Sequence, residues 1–269
     1  MYDDKLAQKA ALNLTTLRAQ KPLIHNITNF VVMNFTANAL LAFGASPVMA
    51  HAPEEVEEMV SFAGALVLNI GTLTPPWVDA MLMAGKKANE LGIPIVLDPV
   101  GAGATAFRTT TARRLADTLS ISVIRGNASE VLSLAGEDSK TKGVDAIHGV
   151  DEAEGAAVTL SRELDTTLAI TGPVDLVTNG NRVLRVFNGH EQMGNITGTG
   201  CTATALIGAF LAVDEDSLEA TATALAAYGL AGEEAASESK GPGSFHPALL
   251  DALFNPDTER FGKRIRIKS

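Results

Sequence analysis

The chain has 269 residues, 46% of them hydrophobic, and a formal net charge of −10. That acidity argues against nucleic acid and anionic membrane as partners, and a single cysteine cannot form an internal disulfide. With no Pro/Ser-rich linker, no fixed-period repeat, no apolar leader at the N-terminus and no run of roughly 18 apolar residues, the expectation is one domain over residues 1–269, in the cytoplasm.

Leu6, Ala10, Leu14 and Leu17 keep helical spacing and predict a first amphipathic helix closed before Pro22. Leu23 to Thr28 reads as a strand leading into Thr28-Asn29, a cap for a helix that carries Phe30, Val31, Phe35, Ala39, Leu40 and Phe43 and stops at Gly44. Ser46 to Met49 is brief and extended. Pro53, with Glu54 and Glu55 behind it, predicts a helix start, and that helix ends near Gly64. Ala65 to Ile70 is a fully apolar strand; a helix opened by Thr74-Pro75 and closed by Gly92 follows, then the strand Ile93 to Leu97, which ends on Asp98-Pro99.

A helix from Thr109 to Leu119 precedes the strand Ile121 to Ile124, and another helix runs from Asn127 to Gly136. Lys140 to His148 is polar and reads as a surface loop, Glu152 to Leu164 as a helix, and Leu168 to Ile170 as a strand. Val174 to Val177 and Val183 to Phe187 flank Asn179-Gly180, the signal of a hairpin with a type I′ turn, expected as a ribbon appended to the sheet. Helices over Thr199 to Val213, Ser217 to Ser237 and Pro247 to Leu253 complete the chain, with Ile265 and Ile267 as an edge strand. Short apolar strands alternating with helices predict an α/β layered fold around a mostly parallel sheet.

In such sheets ligands bind beyond the carboxyl ends of the strands, and there the chemistry collects. The stretch Asn195-Ile196-Thr197-Gly198-Thr199-Gly200-Cys201 opens an apolar helix whose first turn aims unpaired amides and a positive dipole at the glycine turn. That is an anion site suited to phosphate, with the only cysteine beside it. Asp98 opens Asp-Pro-Val-Gly-Ala-Gly-Ala, a turn expected to leave the carboxylate open to a ligand. Asn127 and Glu130, three residues apart, can form a capping box and can also stand beside a hydrated Mg²⁺ and phosphates. Arg125 can pair with phosphate bidentately.

Gly198-x-Gly200-x-x-Ala203 also matches a dinucleotide fingerprint, but it lies late in the chain and its acidic partner position falls in a helical run. No P-loop, protein-kinase signature or Gly-x-Ser-x-Gly elbow occurs, and the five histidines lack zinc spacing. The residues leave open a phosphotransferase, a nicotinamide-dependent oxidoreductase and a nucleotide sensor.

Together the motifs resemble the hydroxyethylthiazole kinase family, the thiamine-salvage branch of the ribokinase-like superfamily. They are Ile27-Thr28-Asn29, Asn34-Phe35-Thr36-Ala37-Asn38, Gly44-Ala45-Ser46-Pro47-Val48-Met49, Asn69-Ile70-Gly71-Thr72 and Asp98-Pro99-Val100-Gly101-Ala102-Gly103-Ala104. Arg125-Gly126-Asn127-Ala128-Ser129-Glu130, Gly198-Thr199-Gly200-Cys201 and Lys240-Gly241-Pro242-Gly243-Ser244-Phe245 complete the set, in family order. The resemblance implies a ribokinase-like fold and Mg²⁺-dependent transfer of the ATP γ-phosphoryl group to the primary hydroxyl of 4-methyl-5-(2-hydroxyethyl)thiazole. It further implies a homotrimer with active sites at subunit boundaries. By the same resemblance Asn29, Met49 and Gly198 contact the thiazole, and Arg125 and Thr171 the nucleotide, with Asn127 beside them. Asp98 and Glu130 lie near the metal, and Gly198, Gly200 and Cys201 form the catalytic loop, the cysteine standing where most of the superfamily has aspartate.

Overall fold

The computed structural model describes residues 2–135, 150–255 and 258–269. Its strands are β1 (Leu23–Ile27), β2 (Ser46–Val48), β3 (Ala65–Asn69), β4 (Ile95–Asp98), β5 (Val123–Gly126), β6 (Thr167–Ile170), β7 (Asp175–Thr178), β8 (Val183–Val186) and β9 (Ile267–Lys268). Among the described residues they form one nine-stranded sheet in the order β2-β1-β3-β4-β5-β6-β7-β8-β9. The six strands from β2 to β6 are parallel and the last three run antiparallel.

The helices are α1 (Asp4–Gln20), α2 (Met33–Phe43), α3 (Val56–Ser61), α4 (Pro75–Leu91), α5 (Ala106–Thr118), α6 (Ala128–Leu132), α7 (Val150–Leu164), α8 (Thr199–Leu211), α9 (Ser217–Glu238), α10 (Pro242–Phe254) and α11 (Thr258–Arg264). Side chains alternate across a strand, so each strand feeds two cores. Ile24, Val67, Val96, Val123 and Ala169 pack with α1, α2 and α8 to α11. Ile27, Leu66, Leu68, Leu97, Ile124 and Leu168 pack with α3 to α7 on the other face. This is the layered α/β fold expected from alternating apolar strands.

α8 lies across β1, β3 and β4, and its sheet-facing stripe is built from small residues four apart: Gly200, Thr204 and Gly208. A Cβ at Gly208 would stand 3.0 Å from Val67 Cγ2, and one at Gly200 2.7 Å from Arg125 Nη1. The stripe lets the helix lie close to the strands and sets its N-terminus at their carboxyl edge.

Several local expectations need correction. α2 begins at Met33, with Val32 as N-cap and no side-chain cap bond; Thr28-Asn29 is not its cap, and Phe30 and Val31 are exposed in the turn before it. Pro53 to Glu55 form a turn, and α3 starts at Val56. α5 starts three residues before Thr109, capped by Thr105, and β5 ends on Gly126 rather than Ile124, so Arg125 belongs to the strand itself. α10 begins at Pro242 and takes Pro247 inside. The hairpin joins the sheet at β6 as expected, but only Gly180 of its turn has positive φ, so the turn is not type I′. Gly136 and the stretch from Lys140 to His148 lie outside the described residues. Among the described residues, no helix is long and apolar enough to cross a membrane.

Candidate active site

The carboxyl ends of adjacent parallel strands place the candidate residues in a row. Met49 follows β2, the edge strand; Asn29 lies two residues past β1; Asn69 closes β3; Asp98 closes β4; Arg125 is in β5; Thr171 follows β6. With strands roughly 4.8 Å apart, the row spans on the order of 24 Å, long enough for a nucleotide at one end and a small acceptor at the other. The N-terminus of α8 comes down on the middle of this row.

Gly198 caps α8 at φ +92°, a left-handed conformation that favours glycine, and an added Cβ would press on Val32 at 3.1 Å. Cys201 is the third residue of the helix and is partly exposed. Its sulfur accepts a 3.5 Å hydrogen bond from Asn29 Nδ2. Burial first, then the nearby Asp98 carboxylate, push the thiol up to about 11, against the pull of the Asn69 and Asn29 amides and of Arg125. The dipole of α8 does not make this cysteine a thiolate; at neutral pH it carries its proton. A thiol raised by about two units from its ordinary value should react with iodoacetamide at pH 8 roughly 100-fold more slowly than free cysteine. Intact-mass labelling of the single cysteine checks this, and labelling at the free-thiol rate would refute it.

Asp98 is 1% exposed, contrary to the open turn expected of its glycines: Asn69 and Thr204 cover it from β3 and α8. Its Oδ2 accepts from Asn69 Nδ2 and Thr204 Oγ1, each at 2.8 Å, while its Oδ1 has no partner among the described residues. Burial lifts its pKa to about 6 despite Arg125, whose Nη1 stands 3.9 Å from Oδ2.

Arg125 packs its guanidinium against the backbone of Gly200. A cation at a helix N-terminus faces the positive end of the dipole, so the two fields add at this point. Its side chain is 12% exposed; one arm donates to Thr171 Oγ1 and its Nε–H has no acceptor among the described residues. Beside it opens a cavity of about 520 Å³ lined by Arg125, Thr171, Asp175, Gly200, Tyr228 and their neighbours. A buried N–H donor, a guanidinium and a helix mouth share one wall, an arrangement whose chemistry suits a polyanion.

Asn127 and Glu130 form the capping box of α6: Asn127 Oδ1 accepts from Glu130 N at 2.9 Å, and Glu130 Oε2 from Asn127 N at 2.9 Å. Glu130 Oε1 also accepts from Gly101 N at 2.8 Å, tying α6 to the loop after Asp98. Arg108 braces the same loop through the carbonyls of Ile70, Gly71 and Val100.

The structure thus gathers Asn29, Asp98, Arg125, Thr171, Gly198, Gly200 and Cys201 around one helix mouth. Asn127 and Glu130 stand behind the Asp98 loop, and Met49 is at the sheet margin. Sequence reasoning missed Asn69 and Thr204 as site residues. Their signal was a polar side chain closing an apolar strand, and a threonine one turn beyond Gly200 in an apolar helix.

A family model described as the hydroxyethylthiazole kinase family matches residues 14–259. A hydroxyethylthiazole kinase of Desulfotalea psychrophila is 63% identical over 259 residues, covering 96% of this chain and 95% of the relative. The solved hydroxyethylthiazole kinase of Pyrococcus horikoshii superposes with a TM-score of 0.88 at 48% identity, covering 97% of this chain and 98% of that one. A ribokinase-like superfamily protein of Enterococcus faecalis matches at TM-score 0.64 and 14% identity over 86% of each chain, a likeness of fold alone.

Proposed function

The chain belongs to the hydroxyethylthiazole kinase family, and from that premise we infer that it phosphorylates the primary hydroxyl of 4-methyl-5-(2-hydroxyethyl)thiazole with ATP, a step of thiamine salvage. The observation that best supports this reading is the Arg125 guanidinium laid against the mouth of α8, with its Nε–H free to donate. In phosphoryl transfer the transition state is loose, and positioning and charge neutralisation contribute most. Arg125, Thr171 and the first amides of α8 hold the phosphates, with Asn127 at the edge of the nucleotide site. Asn29, Met49 and Gly198 hold the thiazole. The protonated Cys201 thiol orients the acceptor hydroxyl and takes no early part as a base.

Asp98 and Glu130 fit a divalent cation. Asp98 Oδ1 is a buried acceptor without a partner, and each Glu130 oxygen accepts a backbone amide and keeps a lone pair. Mg²⁺ takes only one or two protein carboxylates beside phosphates and keeps its waters. These two residues would hold it, and bound there it would neutralise charge on the phosphoryl oxygens. We further read the assembly as a homotrimer of single-domain, cytoplasmic chains. The exposed Phe30, Val31 and Leu41 near edge strand β2 are apolar surface suited to a neighbouring copy.

ATP consumption measured with hydroxyethylthiazole beside its hydroxymethylpyrimidine counterpart tests the reading. Turnover with the thiazole at least about 100-fold above the pyrimidine is expected. Preference for the pyrimidine would move the chain to another small-alcohol kinase of the superfamily. Stabilisation by NAD(P) rather than by ATP with Mg²⁺ would favour an oxidoreductase.

A further inference from the structure

We propose that Asn69 is a positioning residue for phosphoryl transfer: its side-chain amide commits one oxygen of Asp98 to the protein, leaves the other for the reaction, and aligns Asn29 with the Cys201 thiol. The assignment rests on the kinase reading above. It deepens that reading with a residue argued to act through Asp98, Asn29 and Cys201.

Asn69 is 1% exposed and closes β3 between Asn29 and Asp98. Its Oδ1 accepts from the backbone N–H of Gly71 at 2.9 Å and from Asn29 Nδ2 at 2.8 Å. A backbone N–H can only donate, so the Gly71 bond fixes which end of the amide is oxygen. The nitrogen end must then face Asp98, where Nδ2 donates to Oδ2 at 2.8 Å. Asn29 is locked the same way, because its Oδ1 accepts from Val31 N at 3.1 Å. Its Nδ2 therefore points its two hydrogens at Asn69 Oδ1 and at the Cys201 sulfur.

The result is a one-way series of donors: Asn29 to Asn69, and Asn69 to Asp98. Two donors, Asn69 Nδ2 and Thr204 Oγ1, converge on Asp98 Oδ2. A carboxylate held on one oxygen by two bonds cannot turn to share them, and Oδ1 remains the acceptor free for the reaction. At the other end the sulfur accepts from Asn29, so the thiol hydrogen is directed away from Asn29. Gly71 belongs to the same device, since a Cβ there would stand 2.6 Å from Asn29 Nδ2.

The test uses Asn69→Asp, which keeps the shape but puts an acceptor where the donor was, and Asn69→Ser, which removes both links. Both are expected to lower kcat at least about 30-fold while KM for ATP stays within about twofold, because Arg125 and Thr171 are untouched. In an Asp98→Asn background the added Asn69→Ser change should cost clearly less than it costs the parent, since the part of its effect that runs through Asp98 is already lost. A further loss of about 30-fold there, or a KM change with kcat preserved, would overturn the proposal. A readout independent of turnover is the exchange of the Asn29 side-chain amide protons, followed by NMR. Exchange at least about tenfold faster in Asn69→Ser is expected, and an unchanged rate would refute the alignment of Asn29. Should the unsubstituted protein leave hydroxyethylthiazole unphosphorylated, the proposed function fails, and the amide exchange still decides the role of Asn69.

Discussion

Replacing Arg125 by alanine is expected to lower kcat/KM by about 10³-fold or more while the protein remains folded. An arginine that meets developing phosphoryl charge contributes about 10³–10⁵ in rate in related chemistry. Here the guanidinium is nearly buried, lies on the α8 mouth, and donates to Thr171. Its loss removes the strongest charge in the site and leaves Asp98 without its cationic neighbour. Arg125→Lys should recover little, because an ammonium lacks the planar fork that reaches Thr171 and the phosphates together. Coupled-assay kinetics with varied ATP, beside a thermal melt, checks both. A folded alanine variant within about tenfold of the parent would exclude Arg125 from the chemistry.

Asp98→Asn should lower kcat by about 10²–10⁴-fold and yet stabilise the fold at neutral pH. The asparagine can keep an acceptor toward Asn69 and Thr204, but it puts an N–H₂ group where Oδ1 was. Activity then reports on that one oxygen. The stability sign follows from linkage. The folded pKa of Asp98, about 6, lies above the ordinary 3.8 of an unfolded chain. The native state binds more protons between those values, so stability falls as pH rises through that window. Above about pH 6 the full cost of the buried charge is present, up to about 3 kcal/mol by the shift alone. The amide variant would lack that cost at pH 8 and differ little from the parent at pH 4, where the parent's carboxyl is largely protonated in the fold. Asp175, raised to about 6 chiefly by burial, keeps part of the parent trend in the variant. Urea titrations at the two pH values measure the difference, and equal stabilisation at both would refute the linkage.

The sheet was legible because parallel strands buried on both faces read as apolar runs, as Ala65–Asn69 and Ile95–Asp98 do. Left-handed glycines such as Gly44 and Gly92 mark the ends of α2 and α4. The start of α8 was legible because Gly198 takes a left-handed turn just before an apolar helical run. What escaped was what depends on contacts distant in sequence. Asn29 was named for the thiazole by resemblance, but its bond to Asn69, 40 residues away, has no local signal. The burial of Asp98 depends on Thr204, 106 residues later. No local spacing carries that pairing, so the carboxylate was read as lying in an open turn.

The chemistry at the rim is therefore answerable to a position with no chemical group at all. Gly208 meets the sheet two turns below the mouth, where van der Waals clearance to Val67 is already used up. A methyl there would stand 3.0 Å from Val67 Cγ2, so either that side chain yields by a few tenths of an ångström or α8 rises from the strands and carries Thr204 and the helix mouth with it.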